Sequence, residues 1–382
     1  MARPRILVLH NRYRIKGGEE RSVELQLRAL ARAGVEHRLL ERRSRDTGRG
    51  RAAGAMLIAG ERPDEVGRAV RELGADVVHV HNMQPLFGPR SLEAAREAGA
   101  RVVMHLHNAR LFCAIGVAAR DGGPCFRCRG RLTLPGLVLN CRQSLPEAAV
   151  YAAALSLQQP RVFGAVDRFL APSGYAVGQL AKLGVPAERL EPLPHYLPDG
   201  AFAERSRADA GRYALVAARL APEKGIDTAI EAAAAAQVPL KVAGEGPAEP
   251  ELRELARRLR APVEFLGRVG AREVAPLLAG AGALVLSSRY HEFSPYAVLE
   301  AMAVGVPVAA TRMGGMPELV GADTLVPVND APALADRLGL LWEDADRRRE
   351  EGEAVLERAR ARHSEARFTE GLASVYERVL SG

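Results

Sequence analysis

The chain has 382 residues, of which 48% are hydrophobic and 26% are charged, and this length predicts two domains of ordinary globular composition. Aromatic residues make up only 5% of the chain and are not interleaved with basic ones, which excludes nucleic-acid recognition. The net charge of +7 favours acidic partners such as phosphates, nucleotides or an anionic membrane, although scattered surface arginines explain it equally well.

Short β-branched runs alternate with helical patterns along most of the chain. The predicted strands of the first half are residues 5–10, 76–81, 101–107 and 168–171, separated by helices at 20–33, 64–73, 91–98 and 148–162. Those of the second half are 213–218, 240–243, 263–266, 283–286 and 307–311, separated by helices at 226–236, 249–259, 271–278 and 295–303. A linker is predicted at 192–211 and a charged helical run at 346–380. This alternation predicts an α/β fold with doubly wound parallel sheets, whose ligands bind beyond the carboxyl ends of the strands.

The chain begins with an apolar run at residues 6–9 that is too short for a signal-peptide core, and no run approaches the roughly 20 residues of a membrane-spanning helix. We therefore expect a cytoplasmic protein. Peripheral contact with the inner face of an anionic membrane stays open as an alternative.

The first candidate site follows the first strand. The turn at residues 11–18 ends in Gly17-Gly18, directly before a helix. A glycine pair at a helix N-terminus lets backbone N–H groups approach a phosphate closely, aided by the helix dipole. A tight turn that needs positive φ explains the pair equally well, so both interpretations stay open.

Two turns in the second half carry further candidates. One contains Arg219 and Lys224, five positions apart around a proline, so both can face a diphosphate above the strand end. Solvated surface charge is the alternative. The other contains Gly244 and Gly246 in a Gly-x-Gly-Pro sequence. It resembles half of a dinucleotide fingerprint without the third glycine, and we interpret it as a turn that shapes the floor of the site.

The most informative segment holds two glutamates spaced Glu-x7-Glu. Pro295 suits a first helical turn, which places Glu292 in the preceding loop and Glu300 on the helix. Glu292, with the N–H groups of Phe293 and Ser294, is suited to hold hydroxyls of a donor sugar. A carboxylate on this mostly apolar helix is costly without a partner, and the vicinal hydroxyls of a ribose offer Glu300 two donors. A buried ion pair with an arginine is the alternative for Glu300.

Several motifs occur in order: Arg-x4-Lys-Gly, Gly-x-Gly-Pro, Glu-Phe-Ser-Pro-Tyr-x-Val-Leu-Glu-Ala-Met-Ala-x-Gly-x-Pro-Val and Gly-Gly-x-Pro-Glu. Together they resemble family 4 glycosyltransferases, over essentially the whole chain and most specifically at residues 219–318. The resemblance implies a GT-B fold, two Rossmann-like domains that face a central cleft. It implies an acceptor-side domain at 1–196, a nucleotide-sugar domain at 206–362, and a C-terminal helix at 363–382 that crosses back to the first domain.

The resemblance also implies what the protein does. A retaining, metal-independent enzyme would move a sugar from a UDP-, GDP- or ADP-linked donor to a hydroxyl of a saccharide, lipid-linked or natural-product acceptor. The implied catalytic residues are His107, Arg219, Lys224 and Glu292. The implied nucleotide- and donor-binding residues are Gly17, Gly18, Gly244, Gly246, Phe293, Ser294 and Glu300. In this assignment Arg219 and Lys224 stabilise charge on the departing diphosphate, and a phosphate oxygen of the leaving group takes the acceptor's proton.

Two other function classes stay open. A nucleotide-sugar epimerase shares the two-domain architecture, although the Glu-x7-Glu and Arg-x4-Lys motifs argue against it. A non-catalytic nucleotide-sugar-binding protein is the other, because fold alone does not establish catalysis. Asp344-Ala345-Asp346 resembles a metal-binding DxD motif, but it lies in a charged helix, so we predict ordinary surface acids there.

The four cysteines of the chain lie in a Gly- and Arg-rich insertion predicted at residues 108–145. They are Cys113, Cys125, Cys128 and Cys141. In a cytosolic protein this spacing with one C-x2-C favours a tetrahedral structural zinc site over disulfides. Free thiols and a redox pair are the alternatives. A subset of the family carries a similar insertion.

Overall fold

The computed structural model describes residues 3–13 and 17–382, apart from the side chains of residues 271 and 272. The strands are, in chain order, β1 (Ile6–Arg12), β2 (His37–Arg43), β3 (Val77–Val80), β4 (Arg101–His105), β5 (Ala119–Arg120), β6 (Gly123–Pro124), β7 (Arg168–Ala171), β8 (Leu190–Pro192), β9 (Tyr213–Ala217), β10 (Leu240–Ala243), β11 (Val263–Gly267), β12 (Ala281–Leu286), β13 (Val308–Thr311) and β14 (Leu325–Val326). The α-helices are α1 (Gly18–Arg32), α2 (Arg49–Leu57), α3 (Pro63–Leu73), α4 (Gly88–Glu97), α5 (Leu134–Val138), α6 (Leu145–Ala165), α7 (Gly174–Leu183), α8 (Ile226–Ala236), α9 (Glu249–Leu259), α10 (Ala271–Ala279), α11 (Tyr296–Ala303), α12 (Met316–Val320), α13 (Ala331–Glu343), α14 (Ala345–His363) and α15 (Glu365–Ser381).

The chain divides into two compact units. The first comprises the chain up to Ala118, then Cys125–Pro194 and Ala366–Gly382, while the second comprises Ala119–Pro124 and His195–Glu365. Most of α15 therefore belongs to the first unit, and the small antiparallel hairpin of β5 and β6 belongs to the second. None of the described helices is long and apolar enough to cross a bilayer.

Each unit contains one six-stranded sheet in which all neighbouring strands run parallel. The order is β2-β1-β3-β4-β7-β8 in the first unit and β11-β10-β9-β12-β13-β14 in the second. The predicted α/β class with doubly wound parallel sheets is confirmed. Strands buried on both faces read as continuous apolar runs, as in β1, where Ile6, Leu7, Val8 and Leu9 are fully buried.

The parallel order brings particular strand ends together. In the first unit β1, β3 and β4 are adjacent, and in the second β10, β9, β12 and β13 are adjacent. Their carboxyl ends lie along one edge of each sheet, where such folds bind ligands. One predicted boundary is wrong in a way that matters: β4 ends at His105, so His107 lies in the loop beyond the strand instead of at its last position.

Candidate active site

The turn after β9 is held against the loop after β12 in the second unit. Gly225 has φ +61°, and a Cβ at this position would lie 2.1 Å from the carbonyl oxygen of Ser287. The backbone N–H of Arg289 donates to the carbonyl of Glu223 at 2.8 Å. Only glycine fits at position 225, because the site needs both the left-handed backbone and the missing Cβ. This contact brings Lys224 to the loop that carries Glu292.

Lys224 and Glu292 form the centre of a hydrogen-bonded cluster. Lys224 Nζ donates to Glu292 Oε1 at 2.6 Å and to the Tyr290 hydroxyl at 3.0 Å. The Tyr290 hydroxyl donates to Glu292 Oε2 at 2.8 Å, and Ser288 Oγ donates to Glu292 Oε1 at 3.0 Å. The side chains of Lys224 and Glu292 are only 17% and 8% exposed. Both oxygens of the Glu292 carboxylate therefore accept hydrogen bonds within the protein.

Burial and charge act on this cluster in opposite directions. Burial alone would lower the pKa of Lys224, but the Glu292 carboxylate and the Tyr290 hydroxyl outweigh it and raise the pKa above that of an ordinary lysine. Burial, followed by the nearby Glu292 carboxylate, raises the pKa of Tyr290. Lys224 is thus a permanent cation and Tyr290 a neutral hydroxyl at physiological pH. Solvated surface charge does not describe Lys224.

Arg219 differs from Lys224 in its surroundings. Its side chain is 46% exposed and forms an ion pair with Glu223, four residues further along the chain. The guanidinium lies in the turn after β9. The environment of Arg219 therefore fits solvated surface charge, which the sequence left open as the alternative. The turn nevertheless places Arg219 at the ligand-binding edge of the sheet.

Gly244 and Gly246 let two loops approach closely. A Cβ on Gly244, whose φ is +145°, would lie 1.9 Å from the carbonyl oxygen of Ala218, and a Cβ on Gly246 would lie 2.2 Å from that of Leu220. The N–H of Leu220 also donates to the carbonyl of Glu245 at 3.0 Å. These glycines support the backbone of the turn that carries Arg219, in line with their interpretation as a floor-shaping turn.

The backbone around Glu292 is fixed from the end of β13. Gly314 has φ +64°, a Cβ there would lie 2.2 Å from the Glu292 carbonyl oxygen, and the N–H of Gly315 donates to that oxygen at 2.7 Å. Phe293 and Ser294 follow and are 8% and 7% exposed. The Ser294 hydroxyl has no hydrogen-bond partner among the described residues, so it is a buried polar group that a ligand can satisfy.

Helix α11 begins one residue later than predicted, at Tyr296, with Pro295 at its N-cap. Glu300 lies on this helix and is half-buried among fully buried neighbours such as Leu299 and Ala301. His195 supports the start of the helix, because its ring stacks on Tyr296 with centroids 4.6 Å apart. His195 was not predicted as a site residue, and its position within an apparently irregular linker gave no signal.

In the first unit, the glycine pair at the start of α1 is organised by Glu20. The Glu20 carboxylate accepts from the N–H of Gly17 at 2.8 Å and from the N–H of Tyr13 at 3.0 Å. Residues 14–16 of the predicted turn lie outside the described residues. Gly17 has φ −141°, so positive φ does not explain it, and its N–H is already bound by a carboxylate. Gly18 is the first residue of α1.

Four histidines form a stack at the carboxyl ends of β3 and β4. The rings of His81 and His107 are nearly parallel, with centroids 5.1 Å apart, and His81 Nδ1 lies 2.8 Å from His107 Nε2. His105 stacks on His107 with centroids 4.3 Å apart. His79 Nδ1 lies 2.9 Å from the hydroxyl of Tyr376, which comes from α15. His107 is therefore the outer member of a column that reaches the C-terminal helix.

Two members of this column, His79 and His81, are neutral imidazoles at physiological pH. Burial lowers the pKa of His79 to about 3, and burial, followed by the neighbouring histidines, lowers that of His81 well below its ordinary value. Nitrogens of His79, His81 and His105 lie within 4.8 Å of one another, as a metal site would require. However, His81 stacks on both others with interplanar angles of 27° and 26°, so the in-plane lone pairs do not converge, and we assign no metal to this group.

A buried carboxylate adjoins the column. Glu19 is 8% exposed and accepts from the Tyr13 hydroxyl at 2.7 Å and from Asn108 Nδ2 at 3.1 Å. Burial raises the pKa of Glu19. Glu19, Tyr13, Asn108 and His107 line a small cavity together. Sequence reasoning missed this group, and the one available signal was an acidic residue directly after the glycine pair.

The four cysteines all belong to the first unit and are half-buried. Burial, followed by the nearby thiols of Cys113, Cys141 and Cys125, raises the pKa of Cys128 to about 11. Each of the other three cysteines is therefore close enough to act on Cys128 electrostatically.

The DxD-like pair of α14 is engaged locally. Asp344 caps α14 by accepting from the N–H of Arg347 at 2.9 Å, and Asp346 pairs with Arg349.

Two glycosyltransferase families match successive parts of the chain. Residues 17–195 match the family described as "Glycosyl transferase 4-like domain", and residues 211–344 match "Glycosyl transferases group 1". WcaL of Escherichia coli (strain K12), named as a candidate colanic acid biosynthesis glycosyltransferase, is 36% identical over 195 residues, which are 47% of this chain and 48% of WcaL. The alpha-D-kanosaminyltransferase of Streptomyces kanamyceticus is 29% identical over 219 residues, which are 52% of this chain and 56% of that enzyme. The chain thus spans about half the length of the curated relatives it matches.

Solved structures share the fold at low identity. HepE of Anabaena, solved in complex with UDP, superimposes with a TM-score of 0.69 at 18% identity and covers 98% of this chain and 99% of its own. Sucrose-phosphate synthase of Thermosynechococcus elongatus gives a TM-score of 0.71 at 19% identity, with 99% and 100% covered. These likenesses show the fold, and the two family matches together cover most of the chain. The chain therefore has the GT-B fold, and residues 17–195 and 211–344 resemble a glycosyl transferase 4-like domain and a group 1 glycosyl transferase domain.

Proposed function

We propose that this protein transfers a sugar from a nucleoside-diphosphate sugar to an acceptor hydroxyl, with retention of anomeric configuration and without a catalytic metal. The observation that carries the proposal is the buried cluster of Lys224, Glu292 and Tyr290 at the carboxyl edge of the second sheet. It provides a permanent cation beside a carboxylate, held by two glycine-dependent turns. Such a preorganised cation suits a reaction in which negative charge grows on a departing diphosphate.

Each group has a defined task in the proposed reaction. Lys224 and Arg219 stabilise the charge that develops on the phosphates as the sugar leaves. Glu292 and the unpartnered hydroxyl of Ser294 hold hydroxyls of the donor sugar, and Glu292 lies near the positive charge that forms on the sugar. A phosphate oxygen of the leaving group takes the acceptor's proton on the same face, which gives retention. No second carboxylate is needed at the anomeric carbon, unlike in retaining glycosidases.

The remaining predicted residues serve binding. Glu300 accepts the two ribose hydroxyls, and the N–H of Phe293 adds a donor to the sugar. Gly244 and Gly246 act through the turn that they support. Gly18 is the better phosphate contact of the glycine pair, because Glu20 already binds the N–H of Gly17.

His107 is assigned to the donor sugar, with its ring oriented by His81. The tautomers of His81 and His107 are coupled, because one nitrogen of their contact must donate and the other accept. In its neutral form this imidazole offers one hydrogen bond to a sugar hydroxyl.

The donor and acceptor are proposed as classes. The donor is UDP-, GDP- or ADP-linked, and the acceptor is a saccharide, a lipid-linked saccharide or a natural product. The names of two relatives refer to colanic acid biosynthesis and to kanosaminyl transfer. Peripheral contact with an anionic membrane belongs to the proposal, because a lipid-linked acceptor would be presented there.

We propose that the four thiols bind a structural zinc ion. The electrostatic effect of Cys113, Cys125 and Cys141 on Cys128 supports this assignment. Four thiolates would close the coordination sphere, so the ion would stabilise the insertion and take no part in sugar transfer. The four cysteines belong to the first unit, on the acceptor side of the proposed reaction.

A thermal-shift screen of nucleoside diphosphates and nucleotide sugars is the first test, because a ligand that binds only the folded state raises its stability. Transfer is then assayed with the selected donor. Arg219→Ala should reduce turnover by roughly 10²-fold or more, and Arg219→Lys should stay impaired, because an ammonium lacks the guanidinium fork. Arg253→Ala is the matched control, since Arg253 forms an ion pair with Glu249 at the same four-residue spacing on α9.

The product distinguishes the competing functions. A retained anomeric configuration by NMR supports the proposal, and an inverted product contradicts it. Epimerised donor in the absence of acceptor would indicate an epimerase. Tight nucleotide binding without any turnover across acceptor classes would indicate a binding protein.

A further inference from the structure

A group of exposed hydrophobic side chains is concentrated in the first unit. Among the described residues, ten large hydrophobic side chains are exposed, and seven of them come from α2, α5, α6 and the residues beside these helices. These seven are Leu57, Ile58, Leu132, Leu134, Val138, Leu145 and Leu157, with exposures between 53% and 72%. Single exposed apolar residues need no explanation, whereas a contiguous group marks an interaction site.

Hydrogen bonds to α6 place these segments on one surface. Thr133 Oγ1 donates to the Ala152 carbonyl at 2.6 Å, and Arg131 Nε donates to the Ser156 carbonyl at 3.2 Å. These bonds dock the segment around α5 along one flank of α6. On the other flank, Gln158 Nε2 donates to the Met56 carbonyl at the end of α2.

One exposed strip of α6 between these two flanks is uncharged, and the exposed Arg161, which pairs with Glu93, lies beside it. Pro146, Ala149, Ala153, Leu157 and Pro160 are exposed, and at about 100° per residue they fall within an arc of roughly 80°. An exposed helix face of a water-soluble domain is normally polar. We refer to this face, together with the exposed residues of α2 and α5, as the α6 surface.

Arginines border the α6 surface, and acidic residues are missing from the two segments that flank it. Residues 47–60 contain Arg49 and Arg51, residues 125–146 contain Arg127, Arg129, Arg131 and Arg142, and neither segment contains Asp or Glu. The acids at their ends are already used, because Glu61 pairs with Arg51 and Glu147 pairs with Arg142 and Arg49. Arg127, Arg129 and Arg131 are exposed.

We propose that the α6 surface docks on an anionic phospholipid bilayer. The exposed leucines and Val138 would enter the boundary between headgroups and acyl chains, while the arginines extend to the lipid phosphates. A second copy of the chain is a poor occupant, because a two-fold interface would place this acid-free, arginine-rich surface opposite itself. The α6 surface would make the membrane contact of the proposed function, and only the biological role of this contact rests on that function.

The test measures co-sedimentation of the full chain with vesicles of phosphatidylcholine alone and with about 30% phosphatidylglycerol. Binding is expected only to the anionic vesicles and should weaken as salt rises from about 0.1 M to about 0.5 M. The variant Arg127→Gln, Arg129→Gln, Arg131→Gln should bind roughly 100-fold more weakly, because each arginine near an anionic surface contributes about fivefold.

An apolar variant tests insertion separately. Leu134→Gln, Val138→Gln, Leu157→Gln should weaken binding by roughly tenfold or more, since these side chains would lose their burial in lipid. The control is Leu259→Gln, Leu340→Gln, which removes exposed leucines of the second unit and should leave vesicle binding unchanged.

Three outcomes overturn the inference. They are equal binding to neutral vesicles, equal losses in the control variant, and a dimer by light scattering that both α6-surface variants dissociate. Nucleotide binding by thermal shift is measured on the same samples and should be unchanged in all variants. If the α6-surface variants lose vesicle binding but keep nucleotide binding, the result supports the α6 surface as the membrane contact. If the protein binds vesicles but transfers no sugar, the result contradicts the proposed function alone.

Discussion

Replacing Lys224 by methionine tests whether the cluster is a compensated, desolvated ion pair. Lys224 is 17% exposed and Glu292 8% exposed, and their charged atoms are 2.6 Å apart. Removing the ammonium leaves the carboxylate buried with only the Tyr290 and Ser288 hydroxyls. Breaking a buried pair in this way costs about 3–5 kcal/mol, so the free energy of unfolding should fall by that amount.

The double variant Lys224→Met, Glu292→Gln separates stability from chemistry. The glutamine amide can keep bonds to the same hydroxyls without a net charge, so stability should return to within about 1.5 kcal/mol of the wild-type protein, because uncharged replacements of buried pairs are often nearly neutral. Turnover should not return. Both variants should lose roughly 10²-fold or more, since the cation is absent in each.

Urea unfolding followed by circular dichroism, with turnover measured on the same samples, gives both quantities. Lys241→Met is the matched control, because Lys241 pairs with Glu264, which is 61% exposed, and such surface pairs contribute about 0–1 kcal/mol. A Lys224→Met variant as stable as this control would refute the buried pair. A double variant as unstable as the single one would show that packing, and not charge, is lost.

Three further predictions concern other parts of the molecule. Glu300→Gln should weaken nucleotide binding, because each lost charge-assisted hydrogen bond contributes about 1.5–3 kcal/mol. Removing the 2′-hydroxyl from the donor should reduce its affinity less in this variant than in the wild-type protein. Equal reductions in affinity, measured by calorimetry, would show that Glu300 does not contact the ribose. Purified protein should contain about one zinc per chain by metal analysis, and Cys125→Ser with Cys128→Ser should lose it and destabilise the first unit; four titratable thiols in metal-free folded protein would contradict this. Burial lowers the pKa of His79 from 6.5 to about 3, so the unfolded chain binds a proton in this window that the folded chain does not. His79 should therefore lower the free energy of unfolding as pH decreases below 6.5, by up to about 1.4 kcal/mol per pH unit. Because the lowered pKa values of His81 and His195 act in the same direction, His79→Gln should reduce the slope by about that amount, and not abolish it, in urea titrations between about pH 6 and pH 5.

Central strands and long helices were predictable because their burial imposes a pattern. Helices α8 and α9 have the predicted bounds, and the fully buried β1 reads as one apolar run. The edge strand β2 was not predicted, because it is partly exposed and rich in charged residues. The edge strands β8 and β14, of three and two residues, are too short to show any period.

The candidate site shows the same division. Lys224 and Glu292 were found because each follows a predicted strand and belongs to a recognisable motif. Their direct contact was not predictable, since it depends on Gly225 packing against Ser287 across adjacent strands. The partnership of His79 with Tyr376 joins residues that are almost 300 positions apart and whose relation has no sequence period.

Lys224 also allows this site to be probed by chemical labelling. The 53 basic residues of the chain include only four lysines, Lys16, Lys182, Lys224 and Lys241, so an amine-acylating reagent has very few side chains to modify. Acylation needs the unprotonated amine, and the raised pKa of Lys224 makes that form scarce. Lys182, which is exposed, should react readily while Lys224 stays unlabelled. Mass-spectrometric labelling of Lys224 thus becomes a direct report on any state in which its contact with Glu292 opens.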